Sequence, residues 1–411
     1  MAKAACSEAD FIRIWGETGG SPTKVARVIG VDARSVMNRR RSIEARTGVT
    51  LASSAGAASV QEPTAQAADL RDQVRELQSR IAAAEKETLT AEYVKRKILG
   101  LRDAEVHPPA WLAPPARKVG ANRQVPTLML SDLHWGEVVF PAQVNGVNEY
   151  NIAIAQRRLR TAVERAIELC TRHMVSPSYP GIVLALGGDM LSGDIHEELS
   201  ESNEMPVMPA LLDLLGCLIW AIGRLADEFG HVFVPAVTGN HGRNTRKPRA
   251  KNRVYSNFDW LLYQFLALRF ATDKRVAFCI PDGPDAHWSV YGHRYCMTHG
   301  DQFRGGDGMI GALGPIIRGD HKKRSRNGQI DLGYDTLLLG HWHQLIQLQR
   351  LIVNGSLKGY DEYAASNNFG FEIPQQALWM THPDKGITFS MPVHAEERRK
   401  PAGQKWLEFA G

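Results

Sequence analysis

The sequence predicts an α/β protein: a two-sheet β-sandwich flanked by helices, preceded by a small all-α unit and a helical linker. Three observations carry this. From Val125 onward, apolar runs of strand length alternate with helical segments, then give way after about residue 275 to consecutive short strands. That shift is expected where βαβ units are completed by a second sheet. Five of the apolar runs, VPTLML, GIVLALG, HVFVPAVTG, RYCMT and DTLLLG, lead into Asp, Asn or His, and open α/β sheets place their sites at such strand ends. Residues 7–46, by contrast, hold three helix-length segments and no strand-like run.

At 411 residues the chain has room for two or three domains. A hydrophobic share of 44% with 23% charged residues fits a globular core and excludes a disordered chain. The net charge of +5 is mild, so its distribution matters more than its sum. Five cysteines lie far apart with no C-x-x-C pair, which reads as reduced thiols and not a disulfide framework. No apolar segment of signal-peptide type opens the chain, and the longest apolar stretch, residues 214–223, is too short to span a bilayer. A cytoplasmic location, in a bacterial cell or a phage-infected host, and no membrane partner are expected.

In the first unit, Ser7 caps a helix whose apolar set is Phe11, Ile12, Ile14 and Trp15, and Gly19-Gly20 ends it. Ser21-Pro22 opens a second helix with Val25, Val28 and Ile29 as its buried face. Gly30-Val31 turns the chain, and Asp32 caps a third helix from 33 to about 46. The string SPTKVARVIGVDARSVMNRRRSIEARTG resembles a helix-turn-helix of bacterial or phage type. On that resemblance Arg34, Asn38, Arg39 and Arg41 are the expected DNA-contacting residues, because Arg and Asn read guanine and adenine edges in the major groove. A protein-interaction role for residues 1–50 is the alternative.

Residues 50–66 are Ala/Ser-rich without periodicity and read as a flexible linker. Leu70, Val74, Leu77, Ile81 and Ala84 then repeat at spacings of four and three, a heptad seam of only about two heptads. It reads as an amphipathic helix packed on the next domain, with self-association through residues 70–84 as the alternative. The Pro-rich segment 107–118 closes this region. The expected organisation is therefore 1–50, a linker and helix over 51–118, an α/β domain over 119–395 and a tail over 396–411. Within the α/β domain strands are expected at 125–131, 181–187 and 231–238, and helices at about 150–173, 207–228 and 255–271. Short strands follow at 275–280, 286–291, 293–298, 335–339 and 346–353.

The strand ends read Ser131-Asp132-Leu133-His134, Gly188-Asp189, Gly239-Asn240-His241, Thr298-His299-Gly300 and Gly340-His341-Trp342-His343. Divalent cations take carboxylate oxygen, amide oxygen and imidazole nitrogen together. Two such ions about 3.5–4 Å apart clamp a phosphoryl group and activate water. The motif series, over roughly residues 125–360, resembles the calcineurin-like metallophosphoesterase superfamily, in a phage or prophage form. The resemblance implies the metallophosphoesterase fold and two divalent ions, manganese first, with iron, zinc or magnesium as alternatives. It implies Asp132, His134 and His343 on one ion, Asn240, His299 and His341 on the other, and Asp189 shared by both. It implies His241 as a catalytic group that is not a ligand and stabilises or protonates the leaving oxygen. The chain departs from the family in one place: many members carry Asp or Glu after this His, where Gly242 stands here. Asp194 and the Glu197-Glu198 pair are the candidates to replace that carboxylate, and Asp194 with His196 could support the site or the substrate. Trp135 and Trp342, beside ligand residues, either stack on a base or sugar or pack in the core.

Arg243, Arg246, Lys247, Arg249, Lys251 and Arg253 follow His241 without an intervening acid, and a second basic run covers 318–326. Basic loops flanking a phosphoryl-transfer site bind successive phosphates. Arg243, Arg246, Lys247, Arg249 and Lys251 are therefore the expected substrate-binding residues, two solvated loops being the alternative. The function expected is a dinuclear metal-dependent hydrolase of phosphoric ester bonds, first a phosphodiesterase or nuclease acting on DNA. A phosphomonoesterase for a phosphoprotein or nucleotide, and a DNA-bound scaffold with a non-catalytic metal site, are the alternatives.

Overall fold

The computed structural model describes residues 6–52, 73, 75–79, 108–113, 123–175, 177–195, 197–303 and 313–396. The chain divides into two compact units, Met1–Thr88 and Leu89–Gly411.

In the first unit, helices α1 (Glu8–Glu17), α2 (Pro22–Ile29) and α3 (Ala33–Thr47) follow the expected caps. The Ser7 hydroxyl accepts the Asp10 amide, Asp32 accepts the Ser35 amide, and Gly30 closes α2 in the left-handed region. Phe11, Trp15, Val25, Ala26, Val36, Ile43 and Leu51 form the core. Val28 does not belong to it: it is 62% exposed, and Ala26 faces inward in its place. Ile12 is exposed as well. The unit runs past residue 50, because Leu51 is buried and the Ala52 carbonyl accepts Trp15 Nε1 at 3.1 Å. Arg39 departs from the exposed set of DNA-contact candidates. Its guanidinium lies 5.4 Å from the Phe11 ring centroid and donates to the Cys6 carbonyl, so it braces α3 against α1. Arg34, Asn38 and Arg41 are exposed. Of the heptad positions only Leu77 is among the described residues, where it is exposed; Leu70, Val74, Ile81 and Ala84 lie outside them.

The second unit contains two sheets. The six-stranded sheet has the order β11-β10-β1-β2-β3-β4, with β1 (Val125–Leu130), β2 (Ile182–Leu186), β3 (Val232–Pro235), β4 (Val276–Cys279), β10 (Gln375–His382) and β11 (Gly386–His394). Strands β1 to β4 are parallel, and β10 and β11 add antiparallel strands beyond β1. The five-stranded sheet has the order β5-β6-β7-β9-β8, with β5 (Asp285–Val290), β6 (His293–Thr298), β7 (Thr336–Leu339), β8 (Ile346–Leu348) and β9 (Leu351–Val353). Its inner strands β6, β7 and β9 are parallel.

Period-two alternation divides each strand between two cores. Met129, Val183, Ala185 and Phe233 meet Trp288, Tyr295, Met297 and Leu338 between the sheets. Leu128, Leu130, Leu184 and Leu186 face the opposite way, toward α4 (Ile152–Thr171) and α5 (Val207–Phe229). Burial on both faces explains why these strands read as continuous apolar runs. Helix α5 is long and apolar enough by length and composition to cross a membrane. Its Leu211, Leu214, Leu218, Ile222 and Leu225, at three- and four-residue spacing, belong to this sheet–helix core. The next helix, α6, spans Phe258–Arg269. The outer face of the second sheet, with Cys296, Leu337 and Leu339, packs on Ile316 of α7 (Leu313–Gly328). The two-sheet sandwich flanked by helices expected from the sequence is thus present.

Four expectations change. The basic run 318–326 lies in helix α7 and is not a loop. The segment 346–353 is a β8–β9 hairpin and not one strand. Strands β10 and β11 were not expected. Both edges of the α/β domain also move: Leu112 is buried in the inter-sheet core, so the domain begins before residue 119, and Glu396 pairs with Arg157 and Arg158 at 3.1 and 2.9 Å. The rest of the tail, 397–411, lies outside the described residues.

Candidate metal centre

The carboxyl ends of β1, β2 and β3, neighbours in one sheet, and of β6 and β7, neighbours in the other, carry the five motifs. All seven residues assigned as ligands come together there. Asp132, His134 and His343 bring one donor atom each within 4.8 Å of one another, and so do Asp189, His299 and His341. A third such set, His134, Asp189 and His241, links the two. Asn240 joins the second group, its Oδ1 3.2 Å from His299 Nε2.

The donor set fits divalent ions. His299 Nδ1 faces the Gly187 carbonyl at 2.9 Å, which fixes Nδ1 as the proton-bearing nitrogen. Its Nε2 then faces Asn240 Oδ1 and, at 3.0 Å, Asp189 Oδ2. Asp189 Oδ2 is buried and accepts no aligned hydrogen bond despite that proximity. In the other group His134 Nε2 and His343 Nε2 approach to 3.0 Å, and His343 Nε2 lies 3.4 Å from Asp132 Oδ1. Nitrogen and oxygen donors that converge at such distances are the arrangement of a metal site.

The charges agree. Burial opposes it, but the Asp189 charge, with Asp132 behind it, pushes the His299 imidazole up to about 10. Burial and that neighbouring cation hold His341 down at about 4. The buried carboxylates therefore call for positive charge at this point, which a divalent ion supplies.

Backbone conformation also marks the site. Asp132, His134, Asp189, His341 and His343 all have φ between 46° and 71°. The left-handed region costs a non-glycine residue on the order of 1 kcal/mol. Half of the ten such residues in the described chain are candidate ligands, so the fold spends strain to aim these side chains inward. Gly239 permits the closest approach: a Cβ there would lie 2.0 Å from Asp189 Oδ1.

His241 is oriented by main-chain groups. Its Nδ1 faces the Ser192 carbonyl at 3.1 Å, and its amide donates to Asp189 Oδ1 at 2.7 Å. A main-chain carbonyl thus orients the imidazole. Of the candidates to supply a carboxylate, Asp194 is exposed, and the Glu197 and Glu198 side chains lie outside the described residues, as does His196. Gly242 is imposed by packing. A Cβ at that position would meet Asn257 Oδ1 at 2.5 Å and Asp259 Oδ1 at 2.8 Å. Burial holds the His241 imidazole down at about 3.

Three supporting groups were missed in the sequence. Asp259, fully buried at the start of α6, accepts the amides of Asp189 and Gly239 at 3.1 and 2.9 Å, and burial with the Asp189 charge pushes it up to about 7. Glu137 Oε2 lies 3.3 Å from His134 Nδ1, though too poorly aligned for a hydrogen bond, and Lys358 holds Glu137 Oε1 at 2.7 Å. Asn354 and Gln376 hold Ser131, which donates to Asp132. The signal available was a polar residue inside an apolar segment, such as Asp259 before WLLYQFLAL.

The basic residues divide. Arg243 turns back on its own loop, donating to the Asn240 carbonyl at 3.0 Å and the Thr245 carbonyl at 3.1 Å, so it braces the site entrance. Arg246, Lys247, Arg249 and Lys251 are exposed, and Arg253 pairs with Asp301 at 2.7 Å. Trp135 is buried with its Nε1 on Asp213 at 2.8 Å, which makes it a packing residue. Trp342 is half-buried against His341.

No family model and no curated protein matches the chain. Among solved structures it is similar to zinc-complexed Vps29 from Entamoeba histolytica, at 11% identity and a TM-score of 0.24 over 66% of this chain and 100% of that one. A predicted phosphoesterase from Streptococcus pneumoniae TIGR4 gives 11%, 0.24, 66% and 98%. A putative 5'-nucleotidase from Staphylococcus aureus gives 12%, 0.31, 67% and 55%. Scores this small assign neither family nor activity, and the site is read from its own geometry.

Proposed function

We propose that this chain is a dinuclear metal-dependent hydrolase of phosphoric esters, with a phosphodiester of nucleic acid as its substrate. The observation that carries the reading is the buried convergence of Asp189 Oδ2, Asn240 Oδ1 and His299 Nε2 beside the Asp132, His134 and His343 group. When bound, two divalent ions polarise a phosphoryl oxygen and lower the pKa of water. Asp132, His134 and His343 would hold one ion, Asn240, His299 and His341 the other, and Asp189 both. Ser192 holds the His241 Nδ1 proton, which leaves Nε2 as the nitrogen that exchanges a proton at the leaving oxygen. Glu137 and Asp259 keep His134 and the Asp189 backbone in place from behind.

Two features support nucleic acid as substrate: the uninterrupted basic segment that leaves His241, and the exposed Arg34, Asn38 and Arg41 on α3, suited to DNA. The test is a panel. Protein stripped with chelator is reloaded with manganese, iron, zinc or magnesium and offered a chromogenic diester, a chromogenic monoester, and single- and double-stranded DNA. Metal-dependent cleavage of the diester and of DNA is expected. Faster cleavage of the monoester moves the substrate to phosphomonoesters. Stoichiometric metal binding without hydrolysis of any of them rejects the enzyme reading.

A further inference from the structure

Helix α7 forms one wall of a groove whose other wall is the loop after His241. The groove has a volume of about 690 Å³ and is lined by Arg249, Arg253, Arg318, Lys322, Lys323 and Arg326. Among the described residues, the only acid in its lining is Asp282. Asp301 pairs with Arg253, and Asp285 pairs with both Lys323 and Arg326. Setting those three carboxylates against the six cations leaves a local surplus of positive charge. A smaller cleft lined by Asn240, Arg249, Arg253 and Asp301 shares Arg249 and Arg253 with this groove and reaches a candidate metal ligand.

We propose that this groove is the binding site for the nucleic-acid strand that flanks the scissile phosphodiester. The inference rests on the phosphoesterase reading and adds where the rest of the polymer lies. Arg318, Lys322 and Arg326 are spaced by four residues along α7, a repeat of about 6 Å, comparable with the separation of neighbouring phosphates along a strand. The α7 wall is held in place. Ile316 anchors α7 under the second sheet, and Arg324 ties it to the Tyr334 carbonyl at 2.9 Å. Among the described residues the one aromatic side chain in the lining, Phe303, is 9% exposed and packs into the same core. It offers no stacking platform, so recognition is of backbone charge, indifferent to sequence and sensitive to salt.

The test uses full-length, metal-loaded protein carrying Arg34→Ala, Asn38→Ala and Arg41→Ala, so that binding by α3 does not mask the groove. Into this background go Arg318→Gln with Lys322→Gln, or, as a charge-matched control outside the groove, Lys274→Gln with Lys385→Gln. Binding of a fluorescent phosphorothioate thymidine oligonucleotide is titrated against KCl. The groove pair should make the log–log salt slope shallower by about 1.4, at about 0.7 per single-strand phosphate contact, with metal content per chain unchanged. The control pair should leave the slope as it was. Equal slopes for the two pairs overturn the groove assignment. So does a loss of chromogenic-diester turnover in the groove pair as large as the loss of oligonucleotide binding, or competition by poly-glutamate as strong as by oligonucleotide at equal charge. Failure of the parent protein to hydrolyse any phosphoester would sink the preceding reading and leave the slope measurement to decide the groove.

Discussion

Gly242 shows how one residue constrains its neighbours. In the superfamily that the motif series resembles, an acid at this position is common, and restoring it looks like an improvement. The structure says otherwise, because a Cβ at Gly242 would collide with the oxygens of Asn257 and Asp259, and an added carboxylate would face a buried one. Gly242→Asp should therefore destabilise the protein by about 1–3 kcal/mol from overpacking alone, seen as a lowered melting temperature, and should lower turnover instead of raising it. A variant with higher turnover would mean that the Ser192 carbonyl does not orient His241. Asp189 is the opposite case, a residue whose shape matters less than its charge. Asp189→Asn keeps an oxygen able to accept the His241 amide but removes the charge between the two groups. It should cost more than tenfold in turnover, about 1.4 kcal/mol or more in transition-state energy, with loss of at least one metal ion per chain by elemental analysis. Near wild-type turnover would show that Asp189 does not join the two sites.

At the scale of elements, the sequence made the motif-bearing strands legible because β1, β2, β3 and β7 are buried on both faces and each of the five leads into a polar candidate ligand. Helix α7 was not legible, and the reason is physical. The residues it buries include Lys323 and Asn327 as well as Ile316, so no apolar stripe repeats at helical spacing. Its inward Lys323 is paired with Asp285 of β5 at 2.6 Å, a tertiary contact that local pattern cannot reveal. Strand β10 escaped for a similar reason: Gln375 and Gln376 open it, and Gln376 is buried because it serves the Ser131–Asn354 network. The Asp285–Lys323 pair yields a prediction about α7. Burial opposes ionisation of Asp285, but Lys323 outweighs it and holds the carboxyl below its ordinary range. A depressed folded-state pKa contributes stability above the unfolded value, near pH 4, and loses it as pH falls through the folded value. Asp285→Asn leaves Lys323 buried without its carboxylate and should cost about 3 kcal/mol or more at neutral pH. Hydrogen exchange in α7 should speed up accordingly, while the wild-type helix loosens only in acid well below pH 4. Unchanged exchange in the variant at pH 7 would show that the pair does not dock the helix.

For the whole molecule the question is whether binding and chemistry are separable. The core of the first unit is built from residues 11–51, and the cores around the metal centre from residues 112–395. Among the described residues, every side chain that forms or supports the candidate metal centre comes from the second unit. Removal of residues 1–66 should therefore leave turnover of a small chromogenic diester within about twofold, while affinity for DNA falls with the loss of Arg34, Asn38 and Arg41. The same separation should appear in heat. A metal that binds only the folded second unit stabilises it by about 2.7 kcal/mol at a concentration one hundred times its dissociation constant. In calorimetry of the full chain, chelator should lower one transition and leave a smaller one in place, and the smaller one should vanish from the truncated protein. A truncated chain that is inactive on the small diester, or a single transition that chelator shifts as a whole, would mean that the N-terminal helices complete the catalytic fold and that DNA contact and hydrolysis cannot be assigned to different parts of the chain.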